Sequence, residues 1–227
     1  MLLLMSSASP AVKKEFVVAV DFRLYLITDR KVATKPLPEA VRLALEGGVR
    51  AVQLREKDLP VRELISLAQE LRAITREFGA KLFINDRVDV AVAVDADGVH
   101  LGHQSIPVGA ARKIVGTSML IGVSTHTMEE AKAAEAGGAD FITFGPIFET
   151  PSKANLVHTV GIYGLSSAIS GVEVPIFALG GIKSGIVGDV LASGAYGISM
   201  ISAILGSKDI RKAAEIMVQE IAESVVA

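Results

Sequence analysis

The chain contains no cysteine, which excludes a disulfide framework, a thiolate metal site and a cysteine nucleophile. It also lacks a strong charge of either sign, with a formal net charge of -2 and an isoelectric point near 6.1. Its basic residues are scattered rather than gathered into a stripe, so no nucleic-acid partner is expected and any strong positive field must be local. Apolar runs of spanning length are missing too. Met1 to Met5 is apolar but far too short to cross a bilayer, and no basic residue precedes it as an export leader requires. Later apolar runs are broken by charge or glycine. The expectations are a cytoplasmic location and no membrane partner. A Ser–His–Asp elbow is also missing, and His100, His103 and His126 do not have the i, i+4 spacing of a helical zinc site.

What is present is a repeat. A chain of 227 residues, 50% of them hydrophobic, is long enough for one large core, and roughly 200 to 250 residues is ordinary for a single α/β barrel. From Arg23 onward a short β-branched or aromatic run, a polar or glycine-rich break and an amphipathic stretch ending in glycine recur. The runs predict strands over 24–28, 51–55, 81–85, 98–101, 120–124, 141–144, 176–179 and 197–201. Helices are predicted near 38–46, 61–78, 88–94, 107–115, 128–136, 162–170, 184–192 and 209–225. Eight such pairs close a (β/α)8 TIM barrel, a single α/β domain over 23–227. A doubly wound open sheet is the competing architecture. The barrel is preferred because strands and helices alternate to the end without a dinucleotide glycine fingerprint after the first strand. Residues 1–22 are expected to form an N-terminal tail, with a short capping helix within it over 12–18.

The joints 46–49, 136–139 and 192–195 look alike and place glycine where a helix ends in a left-handed residue. Pro38, Pro60 and Pro107 sit near helix starts, where a missing N–H costs nothing.

In such a barrel the active site lies at the carboxyl ends of the strands. The second strand is the most informative. Along Ala51-Val52-Gln53-Leu54-Arg55-Glu56-Lys57 side chains alternate, so Gln53, Arg55 and Lys57 share one face and Val52, Leu54 and Glu56 the other. Two cations and an amide on one face suit a polyanion, because burying an unpaired charge is costly. The competing reading is that Arg55-Glu56-Lys57-Asp58 forms a solvated loop that pairs with itself.

The other strand ends add Asn85 and Asp86, His100 and His103, Ser124 and His126, the loop 145–153 with Lys153, Gly180-Gly181-Ile182 and Ser202. Gly180-Gly181 permits close backbone approach, and a helix start after the eighth strand can aim N–H groups and the Ser202 hydroxyl at a phosphate. A tight turn is the other reading of the two glycines. Asp86 is the candidate for a hard cation, with a helix N-cap as its alternative. Arg55, Lys57 and Lys153 on two loops would suit a pyrophosphate with Mg²⁺. His126 is a candidate proton carrier or a hydrogen-bonded packing residue.

Gln53-Leu54-Arg55-Glu56-Lys57, Asn85-Asp86-Arg87, Asp97-Gly98-Val99-His100-Leu101-Gly102, Gly122-Val123-Ser124-Thr125-His126, Gly145-Pro146-Ile147-Phe148 with Lys153, Gly180-Gly181-Ile182 and Ile201-Ser202 follow one another in order. Together they resemble thiamine phosphate synthase, from about Leu24 to Ala203. That family is a (β/α)8 barrel that joins a hydroxymethylpyrimidine pyrophosphate to a thiazole phosphate and releases pyrophosphate. The resemblance implies that Gln53, Arg55, Lys57, Asn85, Ser124 and Lys153 bind the pyrimidine pyrophosphate, with Arg55, Lys57 and Lys153 assisting catalysis. Asp86 would bind Mg²⁺. Thr150, Pro151, Ser152, Gly181, Ile201 and Ser202 would surround the thiazole phosphate. Neutralising the leaving pyrophosphate favours C–O cleavage to a pyrimidine-methyl cation, which the thiazole nitrogen captures without a side-chain nucleophile.

Two departures stand out. Ser105 occupies the place where the family usually carries a second metal-binding Asp, and 148–153 reads Phe-Glu-Thr-Pro-Ser-Lys rather than the commoner Pro-Thr-x-Thr-Lys form. The Phe-Glu-Thr run is similar to that of the related thiazole tautomerase, which uses a His at the position of His126. Asn85-Asp86 and Arg55 with Lys57 favour the synthase. A phosphate-binding barrel without catalysis, acting as a regulator, is the third reading. Assembly into a homo-oligomer is compatible with the sequence, which does not fix it.

Overall fold

The computed structural model describes residues 20–150 and 159–226. The expected capping helix within 1–19 and the loop residues Pro151, Ser152 and Lys153 lie outside the described residues. Eight short strands form β1 (Leu24–Ile27), β2 (Ala51–Leu54), β3 (Lys81–Asn85), β4 (Gly98–Leu101), β5 (Leu120–Thr125), β6 (Phe141–Phe144), β7 (Ile176–Leu179) and β8 (Gly197–Met200). They close in sequence order into an all-parallel barrel in which β8 pairs with β1. Around it run α1 (Leu37–Glu46), α2 (Val61–Glu77), α3 (Val88–Ala93), α4 (Val108–Val115), α5 (Met128–Ala136), α6 (Gly161–Gly171), α7 (Val187–Ala192), α8 (Ser202–Leu205) and α9 (Ile210–Val226).

The predicted joints are real left-handed positions, with φ of +100° at Gly48, +92° at Gly138 and +100° at Gly194. Two predicted features differ. The helix expected from Ser184 begins at Val187, because Ser184 Oγ and the Gly185 N–H donate to the Glu220 carboxylate on α9 and hold that segment out of helical conformation. An additional short helix, α8, follows β8 before the long final helix.

Outward strand residues such as Leu26, Val52, Ile84, Val99, Ile142 and Ile198 form the main apolar layer with the helices. The barrel interior is a second, separate core built on Tyr25, Phe83, Phe141 and Phe177, with Phe22 entering from the amino-terminal mouth. The Phe22 ring lies 5.2–5.7 Å from the other four rings. Each interior phenylalanine faces a glycine on the neighbouring strand: Phe83 pairs with Gly98, Phe141 with Gly122 and Phe177 with Gly197. A Cβ at Gly98 would lie 2.5 Å from the Phe83 ring, one at Gly122 2.4 Å from Phe141, and one at Gly197 2.6 Å from Phe177. The rings occupy the volume the glycines leave. This packs the barrel floor and leaves the opposite, carboxyl-end mouth for polar groups.

Candidate active site

The alternation along β2 carries the site. Gln53 is buried in the barrel interior, where its Nε2 donates to Tyr25 Oη at 3.2 Å. Two residues on, Arg55 lies above it, close enough that its charge acts on the interior His100. Glu56 turns the opposite way and is buried, accepting from Thr28 Oγ1 at 2.8 Å, from the Arg30 amide at 3.1 Å and from Arg30 Nη1 at 2.9 Å. Asp58 pairs with Arg30 at 2.5 Å and Lys31 at 2.8 Å, contacts that hold its carboxyl well below the usual range. The self-paired loop is therefore not what forms. Both acids of the loop are neutralised by the loop after β1, and neither Arg55 nor Lys57 makes an ion pair among the described residues. Two cations stand at the mouth without an acidic partner among the described residues.

Beneath them runs a polar chain that the sequence reading did not assemble. His100 is fully buried on β4, with Nδ1 3.4 Å from Tyr25 Oη and Nε2 3.0 Å from Ser124 Oγ. Thr143 Oγ1 donates to Ser124 Oγ at 3.4 Å and lies 3.5 Å from His100 Nε2. Burial lowers the His100 imidazole to about 3, and the Arg55 charge acts in the same direction. Burial likewise pushes the Tyr25 hydroxyl well above its ordinary value, opposed by the Gln53 hydrogen bond. The chain is neutral from end to end. The buried Ser199 hydroxyl on β8 has no hydrogen-bond partner among the described residues. His100 was identifiable as a strand-end residue. Tyr25, Thr143 and Ser199 announce themselves only as polar groups at interior-facing positions of short strands.

Asn85 and Asp86 stand at the end of β3. Asp86 has φ +67°, and its backbone carbonyl accepts from Val88 N at 3.1 Å, while its carboxylate makes no hydrogen bond among the described residues. It does not cap α3, whose N-cap is Arg87. The exposed carboxylate is a hard oxygen donor at the mouth, which fits a Mg²⁺ ion held by one protein carboxylate and substrate oxygens. No group of three or more His, Asp or Glu residues among the described residues is arranged to hold a metal alone. Ser105 Oγ accepts from the Gly102 amide at 2.7 Å and so closes the loop after β4. His103 is exposed in that loop.

His126, after β5, bonds the Gly145 carbonyl through Nδ1, and its amide donates to Glu130 at 2.6 Å. The β6 loop that it touches lies directly on Gly180-Gly181: Ile147 N donates to Leu179 O at 2.9 Å and Phe148 N to Gly180 O at 3.1 Å. A Cβ at Gly180 would sit 2.7 Å from Pro146, and one at Gly181, φ +68°, 2.6 Å from Glu149 O. The loop crossing thus requires both glycines for packing. The pairing of Leu179 with Ser199 brings Gly181 beside the strand end that carries Ile201 and the exposed Ser202. Thr150 is half-buried in the β6 loop.

A closed parallel barrel whose carboxyl-end mouth gathers cations, amides and hydroxyls over a neutral polar floor is a (β/α)8 enzyme. Residues 24–204 match the family model described as thiamine monophosphate synthase, and the chain belongs to that family. A protein of Geobacter sulfurreducens is 54% identical over 196 residues, covering 86% of this chain and 92% of that one. A thiamine-phosphate synthase of Moorella thermoacetica is 44% identical over 192 residues, 84% of this chain and 91% of the other. Among solved structures, the thiamine phosphate pyrophosphorylase of Pyrococcus furiosus superposes with a TM-score of 0.83 at 42% identity, covering 90% of this chain and 97% of its own. No helix among the described residues is long and apolar enough to cross a membrane.

Proposed function

We propose that this chain is a thiamine-phosphate synthase that couples 4-amino-2-methyl-5-(diphosphooxymethyl)pyrimidine to a thiazole phosphate, giving thiamine phosphate and pyrophosphate. The observation that carries this reading is the pair Arg55 and Lys57 at the mouth, without an acidic partner among the described residues and with both neighbouring acids turned away to Arg30 and Lys31. The pair, with Lys153, receives the pyrophosphate. Gln53, Asn85 and Ser124 line the space for the pyrimidine, and Gly181, Ile201 and Ser202, with Thr150, Pro151 and Ser152, receive the thiazole phosphate. Asp86, with Ser105 or water, would hold Mg²⁺, which supplies further neutralisation of phosphate oxygens.

In this reading the C–O bond to the pyrimidine methylene breaks with its electron pair on the departing pyrophosphate, whose charge Arg55, Lys57 and Lys153 offset. The thiazole nitrogen then donates its lone pair to the carbon and forms the C–N bond. No protein nucleophile takes part. Incubation with both substrates, with and without Mg²⁺, tests the proposal: thiamine phosphate and pyrophosphate should form in equal amounts, and their absence from correctly folded protein overturns it.

One observation favours a second reading. His126 Nδ1 donates to the Gly145 carbonyl, a contact that sets the ring in one orientation beside the β6 loop, as a proton carrier in a thiazole tautomerase would need. The same incubation with thiazole phosphate alone separates the two.

A further inference from the structure

The polar chain in the barrel floor has a direction, and that direction reaches the substrate. Gln53 Nε2 donates to Tyr25 Oη, so the tyrosine's own hydrogen is available to His100 Nδ1. An imidazole that accepts at Nδ1 while neutral carries its hydrogen on Nε2. That hydrogen points at Ser124 Oγ, 3.0 Å away, and Thr143 Oγ1 donates to the same oxygen at 3.4 Å. Ser124 Oγ then accepts twice, which fills its two lone pairs. Its hydrogen has no acceptor among the described residues, and Ser124 is only half-buried, at the carboxyl end of β5. At the other end, the Gln53 carbonyl oxygen receives no donor among the described residues because the amide nitrogen is the atom turned to Tyr25.

We infer that His100 is a positioning residue whose Nε2–H tautomer fixes Ser124 as a hydrogen-bond donor and, through Tyr25, Gln53 as an acceptor, so that the mouth selects a ring nitrogen together with an exocyclic amine. This inference rests on the proposed pyrimidine substrate. An aminopyrimidine presents those two groups, a lone pair on a ring nitrogen and an N–H on the amine. A ring with C–H in place of that nitrogen leaves the Ser124 donor unpaired, and a site built to hydrogen-bond one group discriminates strongly against its absence. No charged group takes part in the chain, which agrees with the deep burial and lowered basicity of His100.

The exchange of His100 separates this role from simple packing. In His100→Gln the amide can accept from Tyr25 and donate to Ser124, preserving the direction. In His100→Met it can do neither. Coupling is measured with the natural pyrimidine pyrophosphate and with its two analogues carrying C–H at one or other ring nitrogen. Wild type and His100→Gln should prefer the natural substrate over one of the analogues by about 100-fold in kcat/KM, and His100→Met by less than about tenfold. A uniform fall for all three substrates in His100→Met, with the preference intact, overturns the inference.

The tautomer is read independently of activity by ¹⁵N NMR of the imidazoles, with the His100 signals assigned by their loss in His100→Gln. Hydrogen on Nε2 supports the inference. Hydrogen on Nδ1 overturns it, since the chain would then run backwards with Ser124 as the donor to His100. Wild-type protein that forms no thiamine phosphate but shows Nε2–H overturns the assigned function and leaves the direction of the chain standing.

Discussion

Arg30 Nη1 lies 2.9 Å from the buried carboxylate of Glu56, and this pair decides where the charge of the β2 loop resides. Glu56 is next to Arg55 in the chain but is held on the opposite side of the strand, so it neutralises a residue 26 positions away and leaves its neighbour's charge facing the mouth. The distribution follows from the two-residue period of a strand together with one reaching arginine.

The two halves of this arrangement should respond differently to mutation. Arg55→Ala or Lys57→Ala should remove the proposed charge-assisted contact to pyrophosphate and cost about 2 to 4 kcal/mol of transition-state stabilisation, roughly 30- to 1000-fold in rate, with unfolding unchanged. Glu56→Ala strips the acceptor from the Thr28 hydroxyl and from Arg30 and should cost about 2 kcal/mol of stability, discounted because Arg30 is partly solvated. Steady-state kinetics and urea unfolding on the same three variants check both. Wild-type turnover in folded Arg55→Ala removes the basis for the clamp.

His126→Ala should leave coupling within about tenfold of wild type, since abstraction of a proton is not the main event in displacement by a thiazole nitrogen. Any isomerisation of thiazole phosphate should vanish. Assay of both reactions on the variant decides, and complete loss of coupling with substrate binding retained would reverse the order of the two readings.

The metal prediction concerns Asp86 and Ser105. With one carboxylate and a hydroxyl already engaged by the Gly102 amide, Mg²⁺ affinity should be modest. Ser105→Asp should lower the half-saturating Mg²⁺ concentration, and Asp86→Ala should raise it far more. Titration of coupling with Mg²⁺, alongside Mn²⁺ binding followed by electron paramagnetic resonance, checks this. No change in either variant would put the metal elsewhere.

His100 also gives a pH signature. Its folded value, about 3, lies below the ordinary 6.5. Between the two the unfolded chain binds a proton that the folded one does not, so stability falls as pH drops from about 6.5 towards 3, by about 1.4 kcal/mol per pH unit. The stability difference between pH 7 and pH 5 should therefore be about 2 kcal/mol smaller in His100→Gln than in wild type. Equal differences in urea unfolding would show that the imidazole is not held neutral.

How much of this the sequence disclosed differs by residue. The eight strands were legible because short apolar runs ending in polar residues alternate with amphipathic stretches, and the facing of Gln53 and Arg55 followed from alternation alone. The partner of Glu56 was not, since Arg30 belongs to another loop and only barrel closure brings it near. Gly180 and Gly181 read as a phosphate site or a tight turn, and a Cβ at either would meet Pro146, Phe148 or Glu149 of the β6 loop. Nothing local in sequence encodes that crossing. The Tyr25–His100–Ser124 chain was hidden for a related reason: His100 and Ser124 stood out only as separate strand ends and Tyr25 not at all, and register alone joins the three.

The facing of Phe83 with Gly98, Phe141 with Gly122 and Phe177 with Gly197 has a consequence for strand stagger. A slip of two residues at any of these seams would bring a side chain against a ring that needs none, and would leave a void where the glycine had been matched. The shear of the barrel is thus set at its floor, in units of side-chain volume. The heights at which Gln53, His100 and Ser124 meet are inherited from that floor. The loops around the mouth are left free to differ in length and composition without disturbing the heights of the residues beneath them.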